Sequence, residues 1–271
     1  MRYALVREIS DRLSECELTH LQRTPIDLDR ARAQHAAYCG LLKKLGCHII
    51  TLSASDELPD CVFIEDAALV LDELAIMTRP GAESRRGEIA TVEDALAPHR
   101  RIERIIAPGT LEGGDVIVHD KVIYIGRSSR TNAAGIDQLA GLVQREGYTV
   151  RPVAMSGCLH LKSGATLVTA GEPGDPSHPG AVLINRDWVD PNAFKGPELI
   201  DVHPEEPRAA CAVLIGDTVI HAASFAGTRA IMAQRGIDVH TIEYDELAKA
   251  EAGVTCCSIV FNGPWKPRLA E

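Results

Sequence analysis

Five stretches of this chain open in the same way, and that recurrence limits its folds more than any other feature. Residues 61–71, 111–118, 158–165, 210–215 and 254–261 are rich in β-branched and aliphatic types, and most carry acidic, basic or thiol side chains at their start. The segments after these openings repeat as well. In the first round Asp72-Glu73 turns the chain, 74–78 runs back as a strand, a loop at 79–87 leads to a helix near 92–97, and 102–107 is a further strand. The second has a turn at His119-Asp120, a strand at 121–126, a loop at 127–131, a helix over 132–145 and a strand over 148–153. The third carries a Gly/Pro-rich insertion at 170–180 before strands at 181–185 and 198–202. The fourth turns at Gly216-Asp217, then gives a helix over 228–235 and a strand over 237–242. Self-similarity at roughly 40–50 residues announces propellers, solenoids or stacked units.

Each unit reads β-β-α-β, and the fifth, at 254–261, has only its opening strand. The N-terminus supplies the missing parts: a strand at 2–8, a helix with Pro25 in its first turn and a strand at 47–53. Leu28, Ala31, Tyr38, Leu41, Leu42 and Leu45 form the apolar face of that helix, and Gly46 can end it. Joining the two ends leaves no orphan unit. The expected fold is therefore α/β: one domain over residues 1–271, with five β-β-α-β units around a pseudo-fivefold axis. Residues 9–24 are polar and aperiodic, and such a long connection reads as an active-site lid or a surface loop. An open α/β sheet is the alternative, but no Gly-x-Gly-x-x-Gly or Walker lysine loop accompanies it.

A length of 271 residues with 45% apolar content suffices for a large core. The formal net charge of −10 argues against a nucleic-acid or membrane-surface binder, since both need a basic face. It suits a small cationic ligand. No apolar run approaches the roughly 18 residues of a membrane span, and no export signal is legible. Eight cysteines without a Cys-x-x-Cys pair suggest neither a zinc ribbon nor a redox motif, and point to reduced thiols in the cytoplasm.

In a ring of this kind the opening strands line the centre, so their polar residues converge. Those strands carry Glu65 and Asp66, Glu112 and Asp115, His160 and Lys162, and Cys256 with Cys257. Singly, each has a plain explanation: acids cap turns, a lone histidine is a hydrogen-bonded core residue, and a buried cysteine is packing. Four openings delivering polar chemistry to one place are harder to dismiss.

The residues at 60–66 (DCVFIED), 79–88 (RPGAESRRGE), 111–115 (LEGGD), 159–164 (LHLKSG) and 253–256 (GVTC) occur in an order that resembles the dimethylarginine dimethylaminohydrolases. These belong to the guanidine-modifying superfamily, whose fold is a five-bladed α/β propeller, the pentein. The Glu-Gly-Gly-Asp element marks the superfamily, and the run at 79–88 points to the narrower family. The resemblance implies Cys256 as nucleophile, His160 as general acid and base, and Glu112 as the acid that orients it. It further implies that Glu65 and Asp66 hold the guanidinium, and that Arg85 and Arg130 bind the amino-acid carboxylate. Asp60 and the backbone of Leu18 would meet the α-amino group. Ala250 stands where relatives carry Ile or Val, at a position that acts through its backbone carbonyl.

That chemistry suits these residue types. A guanidinium carbon is resonance-stabilised, so a thiolate is needed to attack it. A free thiol is mostly protonated at neutral pH, and a bound cation and a protonated histidine both favour the thiolate. No cofactor or metal is required, and zinc is expected as an inhibitor at most. The partner is a small molecule, and the sequence leaves homodimerisation open. Arginine deiminases and amidinotransferases share the superfamily's motifs, and a non-enzymatic binding protein on the same ring is the reading from another class. Lys162 separates the first of these: arginine deiminases carry an aspartate there, so methylated arginines are the expected substrates and arginine a poor one.

Overall fold

The computed structural model of the protein describes residues 1–172, 175 and 177–263. It contains five three-stranded sheets, and four follow chain order: Ala68–Val70 with Leu74–Met77 and Arg101–Arg104, Val116–His119 with Val122–Gly126 and Thr149–Val153, Ala165–Thr169 with Ala181–Ile184 and Glu198–Asp201, and Ala212–Ile215 with Thr218–Ala222 and Asp238–Ile242. In each the opening strand is antiparallel to the second, and the second is parallel to the third. The fifth sheet joins the two ends of the chain. Arg2–Arg7 lies between Ile259–Asn262, antiparallel from Arg2↔Asn262 to Leu5↔Ile259, and Cys47–Leu52, which is parallel. The expected closure by the termini is what the chain does.

Residues of all five opening strands line one axial cavity of ≈ 290 Å³, with Leu69, Ile117, Leu167, Val213 and Val260 among its walls. Alternation explains the arrangement: successive side chains of a strand face opposite ways, so each opening strand lines the axis with one set and packs outward with the other. Outside the ring, helices cover the sheets. Leu28–Lys44 starts at Asp27, whose side chain accepts the Arg30 N–H, and Gly46 takes up φ 87° just beyond its end. Its buried face places Tyr38 and Leu42 in a core with Leu13, Tyr244 and Cys257, and the Tyr38 hydroxyl lies 2.7 Å from Ser258 Oγ. Asn132 caps Ala133–Val143 in the same way, accepting from the Gly135 N–H at 2.8 Å.

Two expectations need correction. The openings do not begin as strands: a short helical turn precedes three of them, at Ile64–Ala67, Gly113–Asp115 and Leu161–Gly164. The polar residues sit in or beside these turns. In a strand, neighbours such as Glu65 and Asp66 would point to opposite faces; the turn brings both to the same end of the ring. The third unit also departs from the repeat, with only the turn Pro191–Ala193 between its second and third strands. Pro191, Gly196 and Pro197 in that connection oppose a longer helix. Among the described residues no helix is long and apolar enough to cross a membrane.

Candidate active site

Glu112 is fully buried, and its Oε2 lies 2.7 Å from His160 Nε2. The other oxygen, Oε1, accepts the Gly81 N–H at 3.0 Å and faces Arg130 at 3.6 Å. Asp66 Oδ1 is 3.9 Å from the same His160 nitrogen and accepts the Gly114 N–H at 2.9 Å, while its Oδ2 accepts from Arg85 Nη1 at 2.5 Å. The two glycines of the Glu-Gly-Gly-Asp element make this approach possible. A β-carbon on Gly113 would lie 2.1 Å from the Glu65 carbonyl oxygen, and one on Gly114 would lie 2.7 Å from His160 Nδ1 and 2.8 Å from Asp66 Oδ1. Asp115 completes the support: it accepts from Ser128 and Thr131 hydroxyls and from the Leu161 N–H, fixing the chain next to His160.

These contacts decide the charges. Burial disfavours an imidazolium, but Asp66, Glu112 and Asp115 outweigh it and raise His160 to about 9. Burial likewise opposes ionisation of Asp66, yet His160, Arg85 and the Gly114 N–H hold its carboxyl down at about 2. Glu112 is also held below its ordinary range, burial being overcome by its hydrogen bond to His160. Histidine is therefore protonated and both carboxylates are ionised at neutral pH. Asp66, Glu112 and His160 each offer a ligand atom within 4.8 Å of the others. Their acceptors are already taken by Arg85, Gly114, Gly81 and the imidazolium itself, and a charged ring repels a metal ion. The cluster reads as a hydrogen-bonded ion network.

Cys256 is half-buried, and it lines a cavity of ≈ 110 Å³ together with Glu65, His160, Lys162, Cys211 and Phe225. Its Sγ lies 3.4 Å from the Gly253 N–H. Burial, then Glu65, Cys211 and Asp66, push this thiol well above its usual value, so the sulfur is held protonated even with the His160 imidazolium lining the same cavity. Cys257 points the other way. It is completely buried, 3.1 Å from the Tyr244 hydroxyl, and burial pushes it up to about 12. Adjacent cysteines thus occupy different compartments.

Glu65 has one oxygen 2.7 Å from Lys162 Nζ, whereas Oε2 is a buried acceptor with no hydrogen-bond partner. Both residues line the cavity beside Cys256 and the axial one. Arg85, Arg130, Asp60 and Ala250 meet around a narrower recess of ≈ 20 Å³, which also reaches His160 and Cys256. Arg85 is buried, and four of its five N–H groups are engaged, by Asp66, by both oxygens of Glu88 and by the Phe63 carbonyl. Arg130 has more donors to spare, giving one from Nη2 to Thr19 Oγ1 at 3.3 Å. Asp60 accepts the Glu17 N–H at 3.0 Å, and Leu18 comes next as a half-buried residue packed on the core. The structure thus brings Asp60, Glu65, Asp66, Arg85, Glu112, Arg130, His160, Ala250 and Cys256 around two recesses that share His160 and Cys256, with Leu18 next to Glu17 on the rim, whereas Cys257 lies in the core. Sequence reasoning passed over Glu88, Glu17 and Glu251. Glu88 stands three residues after Arg85, a spacing that signals an ion pair within a helical turn; no local pattern marks the other two.

A family model described as "N,N dimethylarginine dimethylhydrolase, eukaryotic" matches residues 18–163. An N(G),N(G)-dimethylarginine dimethylaminohydrolase of Streptomyces coelicolor is 38% identical over 258 residues, covering 94% of this chain and 95% of that protein. The protein of the same description from Pseudomonas aeruginosa is 34% identical over 237 residues, covering 87% and 90%. A solved structure of the Pseudomonas aeruginosa enzyme, a cysteine-to-serine mutant complexed with citrulline, superposes with a TM-score of 0.86 at 31% identity, over 96% of this chain and 98% of that one. The N-terminal domain of a cyanobacterial arginine dihydrolase shares the fold, with a TM-score of 0.83 at 16% identity over 96% and 98% of the chains. On the strength of these matches over nearly its whole length, and of the five-unit ring they share, the chain belongs to the dimethylarginine dimethylaminohydrolase family.

Proposed function

We propose that this protein hydrolyses asymmetric dimethylarginine and monomethylarginine to citrulline, releasing dimethylamine or methylamine, within one catalytic domain of residues 1–271. The observation that carries the reading is the orphaned Oε2 of Glu65, a buried acceptor on the same cavity wall as the sulfur of Cys256. A planar cation with several N–H donors satisfies such an acceptor, and so places an electrophilic carbon beside the sulfur.

The charges of the site define the sequence of events. The entering guanidinium offsets the burial and the carboxylates that hold the thiol protonated, so the sulfur releases its proton to solvent when substrate is present, His160 being already charged. The thiolate attacks the guanidino carbon to form a tetrahedral adduct. His160, already protonated and oriented by Glu112, gives its proton to the amine nitrogen; the C–N bond breaks and a thiouronium remains on Cys256. The neutral imidazole then takes a proton from water, whose oxygen adds to the same carbon. Collapse breaks the C–S bond, the hydroxyl proton passes to the departing sulfur, and the ureido group of citrulline remains. At the other end of the substrate, Arg130 has donors to offer the carboxylate while Arg85 contributes one further N–H, and Asp60, Ala250 and Leu18 stand near the α-amino group.

Lys162 sets the selectivity. It occupies one oxygen of Glu65 and adds no acceptor, so an unmethylated ω-nitrogen brings N–H groups to a wall with fewer partners. Each unsatisfied donor costs about 1–3 kcal/mol. A citrulline assay over asymmetric dimethylarginine, monomethylarginine, arginine and agmatine tests the reading: kcat/KM is highest for the methylated amino acids. Arginine equal to them makes the protein a compact arginine deiminase, and efficient agmatine hydrolysis removes the carboxylate-binding role of the two arginines.

A further inference from the structure

Glu251 stands in the left-handed backbone region, with φ 58°, where a β-carbon is disfavoured and glycine is the usual occupant. It lies just beyond the short helix Asp245–Ala248, and its own N–H closes on the Ala248 carbonyl at 3.2 Å. The side chain crosses to the aperiodic segment at 9–24. Its Oε2 accepts the Thr19 N–H at 2.5 Å, and its Oε1 accepts those of His20 and Leu21 at 2.5 and 2.6 Å. One carboxylate thus holds three consecutive amides, 230 or more residues away in the chain. Just before them, Asp60 takes the Glu17 N–H, so Leu18 is fixed between two acids. Arg130 joins from the substrate side through Thr19.

A surface ion pair would explain none of this: among the described residues no cation pairs with the Glu251 carboxylate, and three amides converge on it as in a built anion site. The residue that bears the carboxylate also comes directly after Ala250 and precedes Cys256 by five positions. We propose that Glu251 is a positioning residue that clasps the 9–24 segment over the site and so sets the backbone of Leu18 for the amino-acid end of the substrate. The proposal rests on the hydrolase reading above. It requires the left-handed turn, because an ordinary helical φ would aim the side chain elsewhere.

The clasp touches the amino-acid end and not the reacting carbon, so its loss separates binding from chemistry. Glu251→Gly keeps the left-handed turn accessible and removes only the carboxylate; Glu251→Gln keeps one acceptor oxygen and is expected to restore part of the effect. In the protein without substrate, trypsin cleavage after Arg23 becomes faster in Glu251→Gly than in the parent. With asymmetric dimethylarginine, KM rises about 10- to 100-fold while kcat changes only a few-fold. Alkylation of Cys256 by chloroacetamidine, which lacks an amino-acid end, is not slowed. Unchanged trypsin cleavage overturns the proposal, and so does a parallel fall of kcat and alkylation rate, which would mean that the nucleophile loop itself is damaged. A parent protein that makes no citrulline would refute the hydrolase reading instead, and the cleavage comparison without substrate would still decide whether the clasp exists.

Discussion

Cys256 and Cys257 are adjacent, yet one sulfur lines a cavity and the other is sealed in the core against Tyr244. Cys256→Ser is expected to lower kcat by about three orders of magnitude or more without altering the fold, because a hydroxyl is a far weaker nucleophile. Cys257→Ser is expected to keep most of its activity and to lose about 1–3 kcal/mol of stability, since it places a polar group in an apolar core. Assays of citrulline formation and urea denaturation on both variants check the assignment, and exchanged phenotypes would refute it. His160 gives a pH prediction with a definite sign. Its value rises from 6.5 to about 9 on folding, so its ion network stabilises the protein fully below pH 6.5 and loses that contribution as pH climbs through 9. Urea midpoints between pH 6 and pH 10 are expected to fall in the parent, and to fall less in His160→Asn.

At the scale of elements, the turns ahead of the opening strands determine what the site contains. A one-turn helix lets Glu65 face Lys162 while its neighbour Asp66 meets Arg85 and the Gly114 amide. The second turn is packed so closely that glycine is a steric requirement, with less than 3 Å to His160 and to Asp66 for any added carbon. Gly114→Ala is therefore expected to displace His160 and to lower kcat/KM by about 100-fold, the effect of a displacement near 1 Å at a reacting group. Comparison of kcat/KM with denaturation midpoints separates this from general loss of fold. Wild-type activity in Gly114→Ala would mean that the turn has more freedom than its contacts indicate.

Over the whole molecule, the ring depends on one seam between the two ends of the chain. Phe261 stacks on Tyr3 at 5.4 Å, meets His99 edge-on, and lies under the Arg100 guanidinium at 5.5 Å. Arg100 also donates to the Asn262 and Leu71 carbonyls, so the first unit grips the last. Phe261→Ala is expected to cost about 3–5 kcal/mol, by removing a buried ring from the strand that closes the structure. The check is a denaturant unfolding curve. A loss confined to a few tenths of a kcal/mol would show that closure does not rely on this contact.

Several features were legible in the sequence because they are local or periodic. Hydrophobic alternation and turn residues give the strands, Asn132 opens one helix and Gly46 ends another, and the repeat of whole units implies a ring that needs both termini. Side-chain chemistry at equivalent places in the units also marked Glu65, Asp66, Glu112, His160 and Cys256 as companions. The rest depends on distances that no short window contains. Which of two adjacent thiols faces the cavity depends on how the strand leaves the turn at Thr255, not on residue type. Arg85 spends most of its donors on Asp66 and Glu88 because burial makes an unpaired charge costly, so the sequence alone could not rank it against Arg130. Glu251 carries no sequence signal at all. Its partners are backbone amides, which every residue except proline possesses, and only the tertiary fold decides which of them it meets.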